Sequence, residues 1–308
     1  MTAPSILLEE GHQRLIKARH GYVLYNRNDT VIGRSIEMYG EYFESEVGVF
    51  RRFVSAGDVA LDIGANIGTH TLALARLAGA QGFVQAFEPQ RLVFQTLCAN
   101  VALNSLTNVH CVNAVVGEQA GTLRMSDADP RQSNNFGGAQ VAALAGAPQG
   151  PPVTRIVLDD FLDVDRLKLV KIDVEGMESE VLRGARRTLA RFKPLLYVEN
   201  AFADKSPELV ALLQELGYRS YWHLARFFRR DNFFGCSDPL FPLAFVDRGD
   251  EFLDAIGFAV NLVCLHESLS ATIEGLRPLT DIREHPFRRD CVHLFAGVAP
   301  DGIPVIKE

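Results

Sequence analysis

An acid, a glycine-rich turn and a second acid are the first residues of this sequence whose spacing could bind a small molecule. Asp62 lies near the end of an apolar run and is followed by Gly64, Asn66 and Gly68 in one short turn. In parallel α/β sheets such a turn holds backbone N–H groups and a helix N-terminus beside a ligand. Glu88 follows Gly64 by 24 residues, at the end of the next apolar run. A carboxylate at that spacing can accept hydrogen bonds from both hydroxyls of a ribose.

The middle position of this turn indicates which ligand it suits. Dinucleotide sites carry a glycine there so that the backbone can approach the pyrophosphate, whereas this chain has Asn66. A ligand without phosphates fits better, and S-adenosylmethionine offers an amino-acid head, a ribose and an adenine. Asp62 is then expected to receive the ammonium group, and the N–H groups of Gly64–Gly68, including that of Ala65, the carboxylate. A packed strand–helix turn without a ligand is the structural alternative.

A second group of polar residues follows later apolar runs and could supply acid–base chemistry. Asp173 ends a buried strand, where an ionised group requires a ligand, a metal or a proton-transfer role to offset its desolvation. Glu175 could equally stabilise the start of the helix predicted from that residue, because helix N-termini favour carboxylates. Glu199 and His223 end two further strands. His223 has a reference pKa of about 6.5, although a single histidine in a strand is commonly structural.

Transfer of a group from such a ligand to an acceptor atom that carries a proton needs a base to accept that proton. The candidates for this catalytic role are Asp173, Glu175, Glu199 and His223. A metal-assisted reaction is the second option. Asp173 and the pair Glu199-Asn200 would then supply three oxygen ligands suited to Mg²⁺ at the ends of adjacent strands.

The elements that must position these residues alternate between apolar strands and amphipathic helices over residues 56–266. This alternation predicts an α/β fold with a mostly parallel sheet and helices on both faces, which binds ligands at the carboxyl ends of its strands. Residues 126–152 and 225–257 lack periodicity and are expected to be long inserted loops that shape the site. The segment Val109–Val116 is predicted as one strand.

Two segments flank this predicted cofactor-binding domain. Residues 1–55 are expected to pack on the core as a short helix or loose end, a hairpin over His20–Ser35 and a helix over Ile36–Phe53. Three glutamates of this segment are expected to face solvent: Glu41, Glu44 and Glu46. The alternative is that one of them, or Tyr42, helps to cover the ligand. Residues 267–308 form a C-terminal extension in which one helix is plausible.

Composition limits the compartment and the partners. The chain has 308 residues and a net charge of −7, which argues against nucleic acid as a partner because phosphates favour basic surfaces. Five separated cysteines without a CxxC pair fit reduced thiols in a cytoplasmic protein. No apolar run reaches the roughly 18 residues that a membrane span requires. We therefore expect neither a nucleic-acid partner nor a membrane partner.

The motifs at these spacings resemble the FkbM-type family of S-adenosylmethionine-dependent methyltransferases. The resemblance is carried by DIGANIG, FEP, KIDVEGMESEVLRGA and YVEN, of which DVEGMESEVLRGA is the most specific. It implies a seven-stranded Rossmann-like sheet with an antiparallel last strand, and methyl transfer to a hydroxyl, often on sugars or natural products. It also implies that Asp173 closes the cleft and that the following residues line the cofactor: Asp62, Gly64, Asn66, Gly68 and Glu88.

The resemblance covers roughly Gly40–His266 and leaves the C-terminal extension without a motif. The partner expected from it is a small-molecule or glycan acceptor, and homo-oligomerisation is left open. Two alternatives remain beside the methyltransferase. One is a protein that binds the cofactor without catalysis, and the other is a nicotinamide-dependent enzyme.

Overall fold

The structure is a computed structural model that describes residues 5–138, 150–241, 243–247, 252–295 and 305–307. Its strands are β1 (Ile6–Glu10), β2 (Gln13–Ala18), β3 (Gly21–Asn26), β4 (Val59–Ile63), β5 (Phe83–Phe87), β6 (Val109–Val112), β7 (Ala114–Val116), β8 (Gly121–Arg124), β9 (Pro152–Ile156), β10 (Leu169–Ile172), β11 (Leu195–Glu199), β12 (Tyr218–Arg226), β13 (Ala244–Asp247), β14 (Asp254–Ile256), β15 (Phe258–His266), β16 (Arg277–Pro278) and β17 (Val305–Lys307). Its helices are α1 (Ile32–Tyr39), α2 (Glu44–Phe53), α3 (Thr69–Ala78), α4 (Arg91–Leu103), α5 (Leu158–Phe161), α6 (Glu178–Arg183), α7 (Arg186–Phe192) and α8 (Ser206–Glu215), with a 3₁₀ helix at Val292–Leu294.

The central sheet contains eight strands in the order β16-β12-β15-β11-β10-β4-β5-β6. The strands β11, β10, β4, β5 and β6 pair in parallel, whereas β15 is antiparallel to both β11 and β12. The predicted α/β class, the mostly parallel sheet and the antiparallel last long strand are confirmed. The two-residue strand β16 adds an eighth member beside β12, which no apolar run in the sequence indicated.

Helices cover both faces of the sheet, and successive side chains of β4 point alternately to the two faces. Leu61 and Ile63 belong to the core shared with α6, α7 and α8, whereas Ala60 packs with residues of α2 and α3 such as Phe50. Successive side chains of a strand point to opposite faces. Asp62 therefore shares with Ala60 the face that α2 and α3 cover.

The N-terminal segment differs from the prediction. Residues 6–26 form the three-stranded antiparallel sheet β1-β2-β3, in place of a short helix or loose end followed by one hairpin. The expected second hairpin strand is helix α1, in which Ile32, Ile36 and Tyr39 are buried at helical spacing. Gly40 ends this helix with a φ of 68°, so the single helix predicted there is divided into α1 and α2.

Three further boundaries differ from the prediction. The segment Val109–Val116 divides into β6 of the central sheet and β7, which pairs with β9 in a separate small sheet. The helix predicted from Glu175 begins at Glu178, because Glu175 and Gly176 have positive φ values of 54° and 96°. Over residues 267–295 the C-terminal extension forms β16 and a three-residue 3₁₀ helix rather than the expected α-helix.

Parts of both predicted loops and of the C-terminal extension lie outside the described residues. These parts are residues 139–149, 242, 248–251, 296–304 and 308. No helix of the described ranges combines the length and the apolar composition that crossing a membrane requires.

Candidate functional site

A cavity opens at the carboxyl ends of β4, β5, β10 and β11, which is where parallel α/β sheets bind ligands. Seven of the predicted site residues line it: Gly64, Ala65, Asn66, Glu88, Asp173, Glu175 and Glu199. Three predicted site residues do not: Asp62, Gly68 and His223. The lining also includes residues outside the predicted site, among them Tyr42, Phe43, Glu46, His70, Lys171, Phe227, Asn261 and Phe287.

Close approach between two chain segments determines the conformation of the glycine turn. Gly64 has a φ of 79°, and a Cβ at this position would lie 1.7 Å from the Asp173 carbonyl oxygen. Glycine therefore allows β4 and β10 to end side by side. Asn66 has a φ of 50°, which asparagine tolerates better than most residues. Gly68 precedes α3 with a φ of 90° and packs against Leu97 instead of the cavity.

Glu88 connects the glycine turn to the end of β5. It is 3% exposed and lines the cavity. Its carboxylate oxygens accept hydrogen bonds from the backbone N–H groups of Asn66 at 2.9 Å and Gln90 at 2.8 Å. Burial raises the pKa of Glu88 to about 7. Each oxygen retains a second lone pair with which it can accept a hydrogen bond from a ligand hydroxyl.

Asp62 lies behind the cavity lining, where its carboxylate already has polar partners. It is fully buried, its Oδ2 accepts a hydrogen bond from the Thr71 hydroxyl at 2.6 Å, and its Oδ1 lies 3.1 Å from Lys171 Nζ. Lys171 is its cross-strand neighbour on β10, lies 3.4 Å from Asp173 Oδ2 and donates to the Gly64 carbonyl oxygen at 3.0 Å. This position differs from the prediction that Asp62 receives a ligand ammonium. The buried lysine already supplies the cation that a buried carboxylate needs.

Three carboxylates converge on one wall of the cavity. Oxygens of Asp173, Glu175 and Glu199 lie within 4.8 Å of one another. Burial, followed by the charge of Asp173, raises the pKa of Glu175 to about 8 and that of Glu199 well above its ordinary value. One oxygen of Glu199 is buried without a hydrogen-bond partner. This wall therefore offers hydrogen-bond donors and acceptors together at neutral pH.

Asn200, which the sequence offered as a third metal ligand, does not line the cavity. It is buried, its Nδ2 donates to Ser206 Oγ at 2.8 Å, and its carbonyl oxygen is 2.8 Å from His285 Nε2. Among the acidic, histidine and cysteine side chains of the described residues, Asp173, Glu175 and Glu199 are placed to hold a hard cation. Glu175 takes the place predicted for Asn200 because the positive φ values after β10 keep it out of the helix.

His223 lies behind the cavity on β12. Its Nδ1 is 2.7 Å from the hydroxyl oxygen of Tyr197, and burial lowers its pKa to about 4. His223 is therefore neutral at physiological pH. Because it does not line the cavity, it does not occupy the position of a base in direct contact with a ligand.

The prediction that three glutamates of the N-terminal segment face solvent is wrong. Glu41, Glu44 and Glu46 are 2%, 3% and 3% exposed. Glu41 forms an ion pair with Arg19 at 2.6 Å, and Glu44 lies 2.6 Å from His20 Nε2. These two acids therefore have structural partners within the N-terminal segment.

Glu46 and His70 are polar residues of the cavity. The sequence interpretation gave covering of the ligand only as an alternative for Glu46 and did not single out His70. Glu46 Oε1 accepts a hydrogen bond from Asn261 Nδ2 at 3.1 Å, and Glu46 Oε2 lies 3.4 Å from His70 Nε2. Burial lowers the pKa of His70 well below its ordinary value. A signal for Glu46 was available, because it precedes the buried Phe50 by four residues and so lies on the core-facing stripe of its helix.

Aromatic rings form another wall of the cavity. The rings of Phe43 and Phe227 have centroids 4.1 Å apart, and Phe258 and Phe287 have centroids 6.1 Å apart. All four residues line the cavity. Phe227 comes from the loop 225–257 and Phe287 from the C-terminal extension, so both segments shape the site.

The loop 126–152 contributes a turn to the same cavity. Asn135 Oδ1 accepts hydrogen bonds from the backbone N–H groups of Gly137 and Gly138, both at 3.1 Å. All three residues line the cavity. The described part of this loop therefore packs over the glycine turn, where a Cβ on Gly137 would lie 3.5 Å from Asn66 Nδ2.

Comparison with known proteins identifies relatives of this chain. The sequence model of the Methyltransferase FkbM domain matches residues 62–220, just over half of the chain. Methyltransferase 1 of Beauveria bassiana (strain ARSEF 2860) is 28% identical over 142 residues, which are 40% of this chain and 57% of that protein. Methyltransferase sdnD of Sordaria araneosa is 28% identical over 188 residues, which are 51% and 72% of the two chains. This chain thus spans little more than half the length of the first relative.

Two solved structures are similar at lower identity. Methyltransferase FkbM from Methylobacillus flagellatus KT is 17% identical, with 71% of this chain and 50% of that chain covered and a TM-score of 0.40. M. jannaschii TYW2, solved in complex with AdoMet, is 13% identical, with 86% and 92% covered and a TM-score of 0.40. The family match itself spans the glycine turn, Glu88, the acidic segment after β10 and Glu199. On this match, the chain belongs to the FkbM methyltransferase family.

Proposed function

We propose that this chain binds S-adenosylmethionine in the cavity and transfers its methyl group to a hydroxyl of a sugar, a glycan or a natural-product small molecule. The observation that carries the cofactor assignment is Glu88, whose carboxylate holds the backbone of Asn66 and Gln90 while lining the cavity. A buried acid in this position suits the two ribose hydroxyls. Asn66 in place of a glycine argues against a pyrophosphate.

The other residues of the cavity fit the amino-acid part of this cofactor. Backbone N–H groups around Ala65 and Asn66 would receive its carboxylate. Asp173 lines the cavity with 35% of its side chain exposed, so it is better placed than the fully buried Asp62 to meet an ammonium group. When bound, the cofactor would supply an electrophilic methyl group on a sulfonium.

The acceptor assignment is supported by carboxylates that lie beside aromatic rings. A sugar or a planar natural product can place an apolar face on Phe43 and Phe227. A hydroxyl of such a molecule would then meet a carboxylate able to accept its proton. Of the bases predicted from the sequence, Asp173, Glu175 and Glu199 line this cavity.

Metal-assisted methyl transfer is a second candidate, favoured by the three converging carboxylates. Asp173, Glu175 and Glu199 offer oxygen ligands of the kind that Mg²⁺ prefers. The metal would orient the acceptor and lower the pKa of its hydroxyl. Loss of methyl transfer in EDTA, with recovery on added Mg²⁺, would favour this candidate, and activity unchanged by EDTA would eliminate it.

A radiolabelled methyl assay tests the proposed function. The chain is incubated with methyl-labelled S-adenosylmethionine and a panel of methyl glycosides, polyols and phenols. We expect label in a methyl ether of at least one of these alcohols. A chain that binds S-adenosylhomocysteine and labels none of them would instead be a cofactor-binding protein without this activity.

A further inference from the structure

Glu46 is a buried carboxylate on the wall of the cavity that helix α2 forms. It is 3% exposed, and Asn261 Nδ2 donates to its Oε1 at 3.1 Å while His70 Nε2 lies 3.4 Å from its Oε2. The hydrogen bond from Asn261 on β15 orients this carboxylate, and His70 on α3 lies beside its second oxygen without a hydrogen bond to it. A carboxylate has about four lone-pair sites, so Glu46 keeps the capacity to accept a proton from a ligand.

We propose that Glu46 is the general base of the methyl transfer, an assignment that rests on the proposed function. This assigns the role of base to a residue outside the four predicted candidates, which the sequence interpretation expected to face solvent or, as the alternative, to help cover the ligand. Glu46 takes the proton of the acceptor hydroxyl as the hydroxyl oxygen bonds to the methyl carbon, whose bond to sulfur breaks with both electrons remaining on sulfur. The positive charge of the sulfonium is thereby removed, and the protonated Glu46 returns its proton to solvent after the product leaves.

The position of Glu46 suits this role better than the positions of the other acids. Asp173 lies beside Lys171 at 3.4 Å, and Glu175 and Glu199 crowd Asp173 within the group of three carboxylates. Glu46 instead has an amide, an imidazole and a tyrosine hydroxyl as polar partners. Glu46 also lies close in sequence to the aromatic wall. Phe43 immediately precedes α2, and its ring packs against that of Phe227.

The environment also makes Glu46 a stronger base than an ordinary carboxylate. Burial, followed by the charge of Asp173, raises its pKa to about 8, while Lys171, Asn261 and Tyr197 act in the opposite direction. A proton acceptor is most effective when its pKa lies near the working pH. The titratable and charged groups around Glu46 come from four segments: Tyr42 before α2, His70 on α3, Lys171 and Asp173 at β10, and Tyr197 and Glu199 on β11.

Tyr197 and His223 lie outside the cavity lining and influence the pKa of Glu46. Hydrogen bonding from the Tyr197 hydroxyl lowers the Glu46 pKa, and the same hydroxyl lies 2.7 Å from His223 Nδ1. Tyr197 and His223 are therefore positioning residues, because neither lines the cavity. This placement gives His223 an indirect part in the reaction rather than the direct one that the sequence predicted.

Two variants of helix α2 test this assignment. Glu46→Gln keeps the shape of the side chain and removes its basicity. Glu44→Gln is the matched control, because Glu44 is equally buried on the same helix and pairs with His20 outside the cavity. With the alcohol identified in the radiolabelled assay, we expect Glu46→Gln to lower kcat by about 100- to 10,000-fold and to leave the affinity for S-adenosylhomocysteine unchanged. Glu44→Gln is expected to retain the kcat of the unmodified chain.

An infrared titration of the ligand-free protein provides a readout independent of activity. We expect the carboxylic-acid absorbance that disappears as pH rises through about 8 to be smaller in Glu46→Gln than in the unmodified chain and unchanged in Glu44→Gln, because Glu175 contributes to the same pH range in all three proteins. A spectrum unchanged by Glu46→Gln would overturn the assignment. An unchanged kcat with weakened S-adenosylhomocysteine binding would also overturn it and make Glu46 a cofactor ligand. Failure of the proposed function is distinguishable, because the unmodified chain would then bind no S-adenosylhomocysteine or label no alcohol.

Discussion

Two sides of the cavity are constructed in different ways. The turn side consists of Gly64–Gly68 and Glu88, which are close in sequence and held by backbone hydrogen bonds. Gly64 N and Ala65 N donate to the Phe87 carbonyl oxygen at 3.0 and 2.9 Å, and the Glu88 carboxylate binds Asn66 N. The geometry of this side therefore follows from one strand–turn–helix unit and its neighbouring strand.

The assembled side consists of Glu46, Asn261, Phe227 and Phe287, which lie far apart in sequence. They come from helix α2, strand β15, a long loop and the C-terminal extension. Their positions depend on the packing of side chains from separate elements. The comparison teaches that a family motif can indicate the cofactor, whereas the acceptor and the base depend on parts of the chain that only the fold brings together.

Lys171→Met is the most severe test of this comparison, because Lys171 contacts Asp62, Asp173 and the Gly64 backbone. Removing the buried ammonium leaves two carboxylates without their cation. We expect the free energy of unfolding to fall by about 3–5 kcal/mol in urea denaturation. Lys168→Met, at an exposed position of the same segment, should change it by less than about 0.5 kcal/mol. A loss of similar size in both variants would contradict the role assigned to Lys171.

Gly64→Ala tests whether backbone geometry determines the turn side. The new Cβ would meet the Asp173 carbonyl oxygen at 1.7 Å, and the φ of 79° adds strain. Gly57→Ala is the control, because its φ of 93° carries similar strain but no atom lies within 4 Å of the added Cβ. We expect Gly57→Ala to lose about 1–2 kcal/mol and Gly64→Ala to lose more, with weaker S-adenosylhomocysteine binding only for Gly64→Ala. Equal losses would show that the contact with Asp173 is relieved without cost.

Tyr197→Phe has the smallest expected effect. It tests whether the Tyr197 hydroxyl influences the pKa of Glu46 on the assembled side. Glu46 has a pKa of about 8 in the folded protein, above the reference value of about 4.3 for glutamate. The folded state therefore binds more protons between these values, and the contribution of Glu46 to stability is lost as pH rises through about 8. Removing the Tyr197 hydroxyl should raise the Glu46 pKa and extend this decline to higher pH, by less than about one pH unit.

Urea denaturation at several pH values measures this shift. Tyr218→Phe is the control, because Tyr218 is buried on the opposite face of the sheet from Tyr197. The control should leave the pH profile of the unmodified chain in place. Identical profiles for Tyr197→Phe and the unmodified chain would show that the Tyr197 hydroxyl does not influence the pKa of Glu46.

The sequence predicted the α/β class and located much of the turn side, because both depend on local patterns. Apolar runs alternating with helices determine the sheet, and the acid at the end of β5 is recognisable from its spacing. Asp62 was predicted to contact the ligand because it lies near the end of β4. Its side chain instead points to the face of the sheet covered by α3 and contacts Lys171. The interaction with Lys171 requires the pairing of β4 with β10, which the sequence pattern does not specify.

The assembled side was largely inaccessible to sequence reasoning. Glu46 was interpreted as a solvated acid although it occupies the stripe of the buried Phe50, because an acid on an apolar face is costly unless tertiary contacts satisfy it. Those contacts come from α3 and β15 and cannot be inferred from α2 alone. Phe287 follows no motif and reaches the cavity through the packing of the C-terminal extension.

Calorimetric titration of the unmodified chain with S-adenosylhomocysteine, and separately with NAD, tests the cofactor assignment most directly. We expect S-adenosylhomocysteine to bind more tightly than NAD, and its affinity to rise as pH increases through about 7, where Glu88 ionises. Glu88→Gln should weaken that binding by about 10- to 100-fold, because hydrogen bonds to a charged group contribute about 1.5–3 kcal/mol. Tighter binding of NAD, or S-adenosylhomocysteine binding that Glu88→Gln does not weaken, would contradict the assignment of this cavity to S-adenosylmethionine.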